Sequence, residues 1–130
     1  MKIKALAIIA FLFTANLVSA QSMDKWPALK DFHEVISQTF HPSEEGNLEP
    51  IKTRSEELAN KAAALLKSDI PAEFRTTAIL ASAEKLQVKA KALNKMVQAK
   101  APDADITKNL AEVHNIFHEI VGLCSGGEKK

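Results

Sequence analysis

Apolar residues recur along this chain in steps of three and four, the spacing of one helical face. From Trp26 to Phe40, Leu29, Phe32, Ile36 and Phe40 share such a face. Pro27 suits the first turn, where its missing N–H has no partner to lose. His41-Pro42 closes the segment, because a residue before proline is pushed away from the helical region, and Ser43-Glu44-Glu45-Gly46-Asn47 reads as a loop. A second helix is predicted from Leu48 or Pro50 to Lys67, with Ile51, Ser55, Leu58, Ala62 and Leu65 on one side, until Ser68-Asp69-Ile70-Pro71 breaks it. The third starts at Thr76 or Thr77 as N-cap and carries Ile79, Ala83, Leu86, Ala90, Leu93 and Val97, an unbroken alternation of four and three typical of a bundle seam. Ala101-Pro102-Asp103 ends it, with Asp103 as cap of a fourth helix bearing Ile106, Leu110, Val113, Phe117, Ile120 and Cys124. Gly126-Gly127-Glu128-Lys129-Lys130 reads as a frayed tail. Short connections make neighbouring helices antiparallel. The predicted fold is all-α, an up-down-up-down antiparallel four-helix bundle.

Composition agrees. Among 130 residues, 46% are apolar and 25% charged, while aromatics are 5%, Gly numbers 4 and Tyr is absent. All-β domains lean on aromatic residues and Gly-rich turns, so helices are favoured. The balance of 17 Lys+Arg against 16 Asp+Glu offers no basic stripe of the kind a nucleic-acid binder needs.

Residues 1–20 read as a cleaved signal peptide: Met1-Lys2-Ile3-Lys4 is basic, Ala5 to Phe13 is apolar, and Val18 and Ala20 suit the −3 and −1 positions. The run is too short for a stable membrane span, which needs about 20 apolar residues. The mature domain is then residues 21–130, periplasmic or secreted, with cleavage after Ala20 and no membrane association afterwards. Its compartment is oxidising. The single Cys124 forms no internal disulfide and is an inert buried thiol, a metal ligand or a route to a homodimer.

All 4 histidines fall in the first or last segment: His33, His41, His114 and His118. These two helices are adjacent in an up-down bundle. His33 lies six residues inside the first helix and His118 five from the end of the fourth, so both sit roughly 8–9 Å from the same end at about 1.5 Å per residue. His114 and His118 share a face at i and i+4, and the three rings are expected to converge. His41, about 12 Å beyond His33 along a straight helix, is too far to share an ion with it directly. It reaches His114 only if the chain after Phe40 folds back over the bundle; the alternatives are a second site with Glu45 or a mere cap on the helix end. Neutral imidazole is the commonest metal ligand, and Glu34, Glu112 and Glu119 are candidates to complete the shell or orient a ring. Zinc, copper and iron all accept such a set. The bland alternative places these rings at the core edge as hydrogen-bonded side chains. No nucleophile elbow, phosphate loop, dinucleotide fingerprint or HExxH is present, and hydrolytic catalysis has little support.

With this topology, an export signal and a His near the end of the fourth helix, the mature chain resembles the cytochrome b562 and cytochrome c′ class of periplasmic four-helix bundles. That class pairs a Met at the start of helix 1 with a His near the end of helix 4. Met23 and His118 are the nearest matches here, and the resemblance implies non-covalent haem b between them and electron transfer. The Cys-x-x-Cys-His motif is absent, which excludes covalent haem. The segments from Gln38 to Asn47 and from Phe117 to Cys124 are also similar to those of small, mostly uncharacterised secreted bacterial bundle proteins, which implies that His41 and Glu45 act together.

Three functions compete. The first is a transition-metal-binding bundle, with His33, His114 and His118 as ligands, His41 and Glu45 contributing, and Glu34 and Glu119 behind them. The second is the haem b cytochrome. The third is a cofactor-free structural or interaction module.

Overall fold

The computed structural model describes residues 23–126, and the leader assigned to residues 1–20 lies outside them. Four long helices account for most of the described chain: α1 Pro27–Glu44, α2 Glu49–Lys67, α3 Thr77–Gln98 and α4 Asp103–Gly126, with a 3-10 turn at Ala72–Phe74. No strand occurs among the described residues. None of their helices is long and apolar enough to cross a membrane. The helices touch in a cycle, α1–α2, α2–α3, α3–α4 and α4–α1, and the last of these seams is the thinnest.

Most of the buried faces are those the spacing predicts, although Phe40 and Val97 are only half-buried. In α2 they are Ile51, Ser55, Leu58, Ala62 and Leu65. In α3, Ile79, Ala83, Leu86, Ala90 and Leu93 are buried, joined by Ser82. Ile106, Leu110, Val113, Phe117 and Ile120 of α4 meet them in one continuous core. Polar atoms that enter this core are paired. Ser55 Oγ donates to Asn94 Oδ1 at 2.8 Å across α2 and α3. Trp26, fully buried just before α1, donates from Nε1 to Ser68 Oγ at 2.9 Å. Its ring stacks on Phe74 at 6.2 Å and closes one end of the core.

Helix ends depart from expectation at two places. α1 does not stop at His41-Pro42 but continues to Glu44 with Pro42 inside it. Proline in a helix forfeits one backbone bond and crowds the preceding turn, yet here it lies in the last turn, which other bonds hold closed. Ser43 Oγ donates to Phe40 O. Gly46 N donates to Ser43 O and Asn47 N to Pro42 O, both at 3.0 Å. These two bonds form a Schellman cap, with Gly46 supplying the left-handed φ of 87°. The second departure is at α4. Pro102 O accepts the first amide bonds, from Asp105 N and Ile106 N. Asp103 therefore sits inside the first turn rather than capping it, and its carboxylate accepts from Lys52 Nζ at 2.8 Å. The Thr76 cap of α3 is as expected, its hydroxyl accepting from Ile79 N.

A local break marks α2, where Arg54 adopts φ −123° and ψ 15°. The hydroxyl of Thr53 donates to Glu49 O and Pro50 O, and such back-bonding competes with the helical ladder and bends it. Arg54 then reaches Glu57 at 2.8 Å and Gln38 of α1 at 2.6 Å.

Candidate metal centre

The seam between α1 and α4 is where the histidines lie, for a reason visible in the heptad-like pattern. Phe32, Val113 and Phe117 are buried seam residues. His33, His114 and His118 each follow one of them by a single position, which turns the ring about 100° from the core to the edge of the seam. His33 and His114 are half-buried there, while His118 and His41 are exposed.

The tightest pair is His114 and His118, whose Nε2 atoms stand 3.1 Å apart. Their ring centroids are 4.4 Å apart with planes at 75°. Phe40 of α1 lies flat on His114, at 3.8 Å between centroids and 8° between planes. His33 stacks on Phe117 at 5.5 Å. His41 meets His114 edge-on at 6.4 Å between centroids. Because α1 runs through Pro42 as a helix, His41 comes beside His114 with no fold-back of the chain over the bundle.

All four rings share one electrostatic neighbourhood. The pKa of His114 is lowered to about 4, chiefly by burial and then by the like charges of His118, His41 and His33, with Glu44 opposing them. His33 is also lowered, first by burial and then by His118 and His41, against the pull of Glu34. A neutral imidazole is the form that offers a nitrogen lone pair to a metal.

The acidic candidates divide. Glu34 is exposed beside His33 on α1. Glu112 and Glu119 turn toward α3 instead, pairing with Lys89 at 3.1 Å and Lys85 at 3.7 Å. They lie about 100–160° around α4 from the histidine pair, as helical geometry dictates. Glu45 occupies the C-cap of α1, exposed and past the last helical residue. The carboxylate that meets His41 is that of Glu44, with Oε1 at 3.3 Å from Nδ1. Sequence reading missed Glu44 and Phe40 as site residues. The signal for Glu44 was the Gly-Asn pair at 46–47, a cap that holds one more helical turn.

Met23 packs half-buried against the core, whereas His118 directs Nε2 at His114. Cys124 is a free, buried thiol, and burial pushes its pKa up to about 11. Little thiolate remains for disulfide exchange.

The bite of the His114–His118 pair suits a metal. At Zn–N distances of about 2.0–2.1 Å, two nitrogens 3.1 Å apart subtend about 95–100° at a shared ion. Among the described residues, however, no three His, Cys, Asp or Glu side chains stand arranged to hold one ion. A third ligand requires rotation of His33 or His41 toward the pair.

Comparison of the chain with protein-family models, with curated proteins and with solved structures finds no match.

Proposed function

We propose that the protein is an exported up-down-up-down four-helix bundle that binds a divalent transition-metal ion between α1 and α4. His114 and His118 form the bidentate nucleus, and His33 and His41 swing in to complete the shell. The role is binding, sensing or sequestration, not turnover. The observation that carries this reading is the 3.1 Å separation of the two Nε2 atoms at the edge of a seam where four imidazoles gather. The antiparallel arrangement draws support from the contacts of that seam. His33 meets Phe117 and, further along α1, Phe40 meets the earlier His114. Export rests on the pattern of residues 1–20.

The donor chemistry favours borderline ions such as Zn2+ or Cu2+, which imidazole suits. Equilibrium dialysis of metal-stripped protein against Zn2+ or Cu2+, followed by elemental analysis, tests the assignment. Wild type should retain the ion and His118→Ala should lose it. Thermal unfolding should agree, since free ion at a hundred times Kd adds about 2.7 kcal/mol to the native state. Equal metal content in the two proteins refutes the site.

A further inference from the structure

The last turn of α1 is an unusual place to find order. A proline sits inside it, and the preceding residue is a histidine of the cluster. Nevertheless Gly46, Asn47 and Ser43 hold the turn in helical form by the cap described above. One consequence is that Glu44 falls three residues after His41 on the same face, with its Oε1 at 3.3 Å from Nδ1. Had the helix ended at Phe40, this spacing would not bring the two side chains together.

We propose that Glu44 is a positioning residue of the metal site, holding His41 in the tautomer that presents Nε2 to the ion. The inference rests on the metal-binding reading above. A carboxylate only accepts hydrogen bonds, so the contact places the proton of a neutral His41 on Nδ1. The lone pair is then on Nε2, the same nitrogen that His114 and His118 bring together. An exposed imidazole left to itself favours the opposite tautomer, with the proton on Nε2 and that nitrogen blocked. Ligating histidines commonly give their second N–H to a carboxylate in this way, which sets the tautomer and raises the basicity of the ring. Glu44 also faces the cluster as a whole, since its charge reaches His114. Glu45, the acidic residue that sequence similarity paired with His41, sits at the C-cap outside the helix and lacks the i, i+3 relation.

The test measures tautomer and affinity separately. Two-bond nitrogen–proton NMR spectra of metal-free, 15N-labelled protein, at a pH where imidazole is neutral, report which nitrogen of His41 carries the proton. Competition with a chromophoric chelator reports Zn2+ affinity. Wild type should show the proton on Nδ1. Glu44→Ala should move His41 toward the Nε2–H form and weaken Zn2+ binding about tenfold, the lower end of what loss of such a partner causes. Glu44→Gln, whose amide oxygen still accepts, should restore the tautomer and most of the affinity. An unchanged tautomer in Glu44→Ala overturns the proposal. So does a changed tautomer with undiminished Zn2+ affinity, or a larger loss from Glu45→Ala than from Glu44→Ala. A wild type that binds no Zn2+ overturns the metal reading together with the role built on it. The metal-free spectra tell that failure apart from an error about the Glu44–His41 pair.

Discussion

Metal-free protein should lose stability as pH falls through the range below neutrality, with His114 the main cause. Its imidazole is half-buried beneath Phe40 and among three other histidines, so its pKa falls from 6.5 to about 4 on folding. Between these values the unfolded chain binds a proton that the folded chain refuses. Stability therefore rises with pH across the window, is fully present above the ordinary imidazole value, and is lost as pH drops toward 4. At about 1.4 kcal/mol per pH unit, the displacement corresponds to a ceiling of about 3 kcal/mol. The ring keeps part of its hydration, and screening by that water reduces the expected effect to about 1–2 kcal/mol. His33 is displaced in the same direction and adds to the slope.

Urea unfolding of chelator-treated protein at several pH values from about 7.5 to 4.5 measures the slope directly. His114→Gln, which removes the titration while keeping a polar side chain, should flatten most of it. Paired carboxylates do not mimic the effect in this window. Glu57, held below the usual carboxylate value by its hydrogen bond to Arg54, gives up its contribution only at more acidic pH. A wild-type protein that loses less than about 0.5 kcal/mol across the range refutes the burial of a neutral His114, given the magnitude worked above. An undiminished slope in His114→Gln assigns the effect elsewhere and refutes it equally.

Two further outcomes follow from the helix ends and the thiol. Lys100 holds a left-handed φ of 59° at the C-terminal cap of α3, where a β-carbon is penalised, so Lys100→Gly should stabilise the protein by about 0.5–1 kcal/mol in urea unfolding; a loss of stability would contradict the capping geometry. Cys124, buried with its pKa raised to about 11, should react with an aromatic disulfide reagent far more slowly in native protein than in denaturant, and equal rates would show that the thiol is open to solvent.

The long helices and most of their buried faces were legible because burial follows period. Ile51, Ser55, Leu58, Ala62 and Leu65 were assigned to one face of α2 from spacing alone, and all five are buried. Even Ser55 fits, since its hydroxyl finds Asn94 on α3 and a buried polar group is tolerated once paired. The end of α1 was not legible by the same means. Local rules for a residue before proline point away from helix. What overrides them is a set of non-adjacent bonds, Gly46 to Ser43 and Asn47 to Pro42, that exists only when the whole cap forms. Each signal is weak alone; the Gly-Asn pair read as an isolated turn concealed a capped extra turn of helix.

The candidate site was half legible for a related reason. Helical arithmetic placed His114 and His118 on one face, and their Nε2 atoms meet. It could also say that Glu119 neighbours His118 in sequence, but adjacency along a helix separates side chains by about 100°. Glu119 consequently belongs to the α3 side, beside Lys85. The acid that faces a histidine is Glu44, and its position depends on whether α1 survives Pro42. A cluster at the junction of two helices thus has one half written in periodicity and the other in how a helix ends. The histidine pair on α4 is internal to one uninterrupted helix, whereas His41 and Glu44 on α1 depend on a terminal cap. Any perturbation of Gly46, whose φ of 87° disfavours a side chain, should therefore act first on His41 and Glu44 and leave the His114–His118 pair in place.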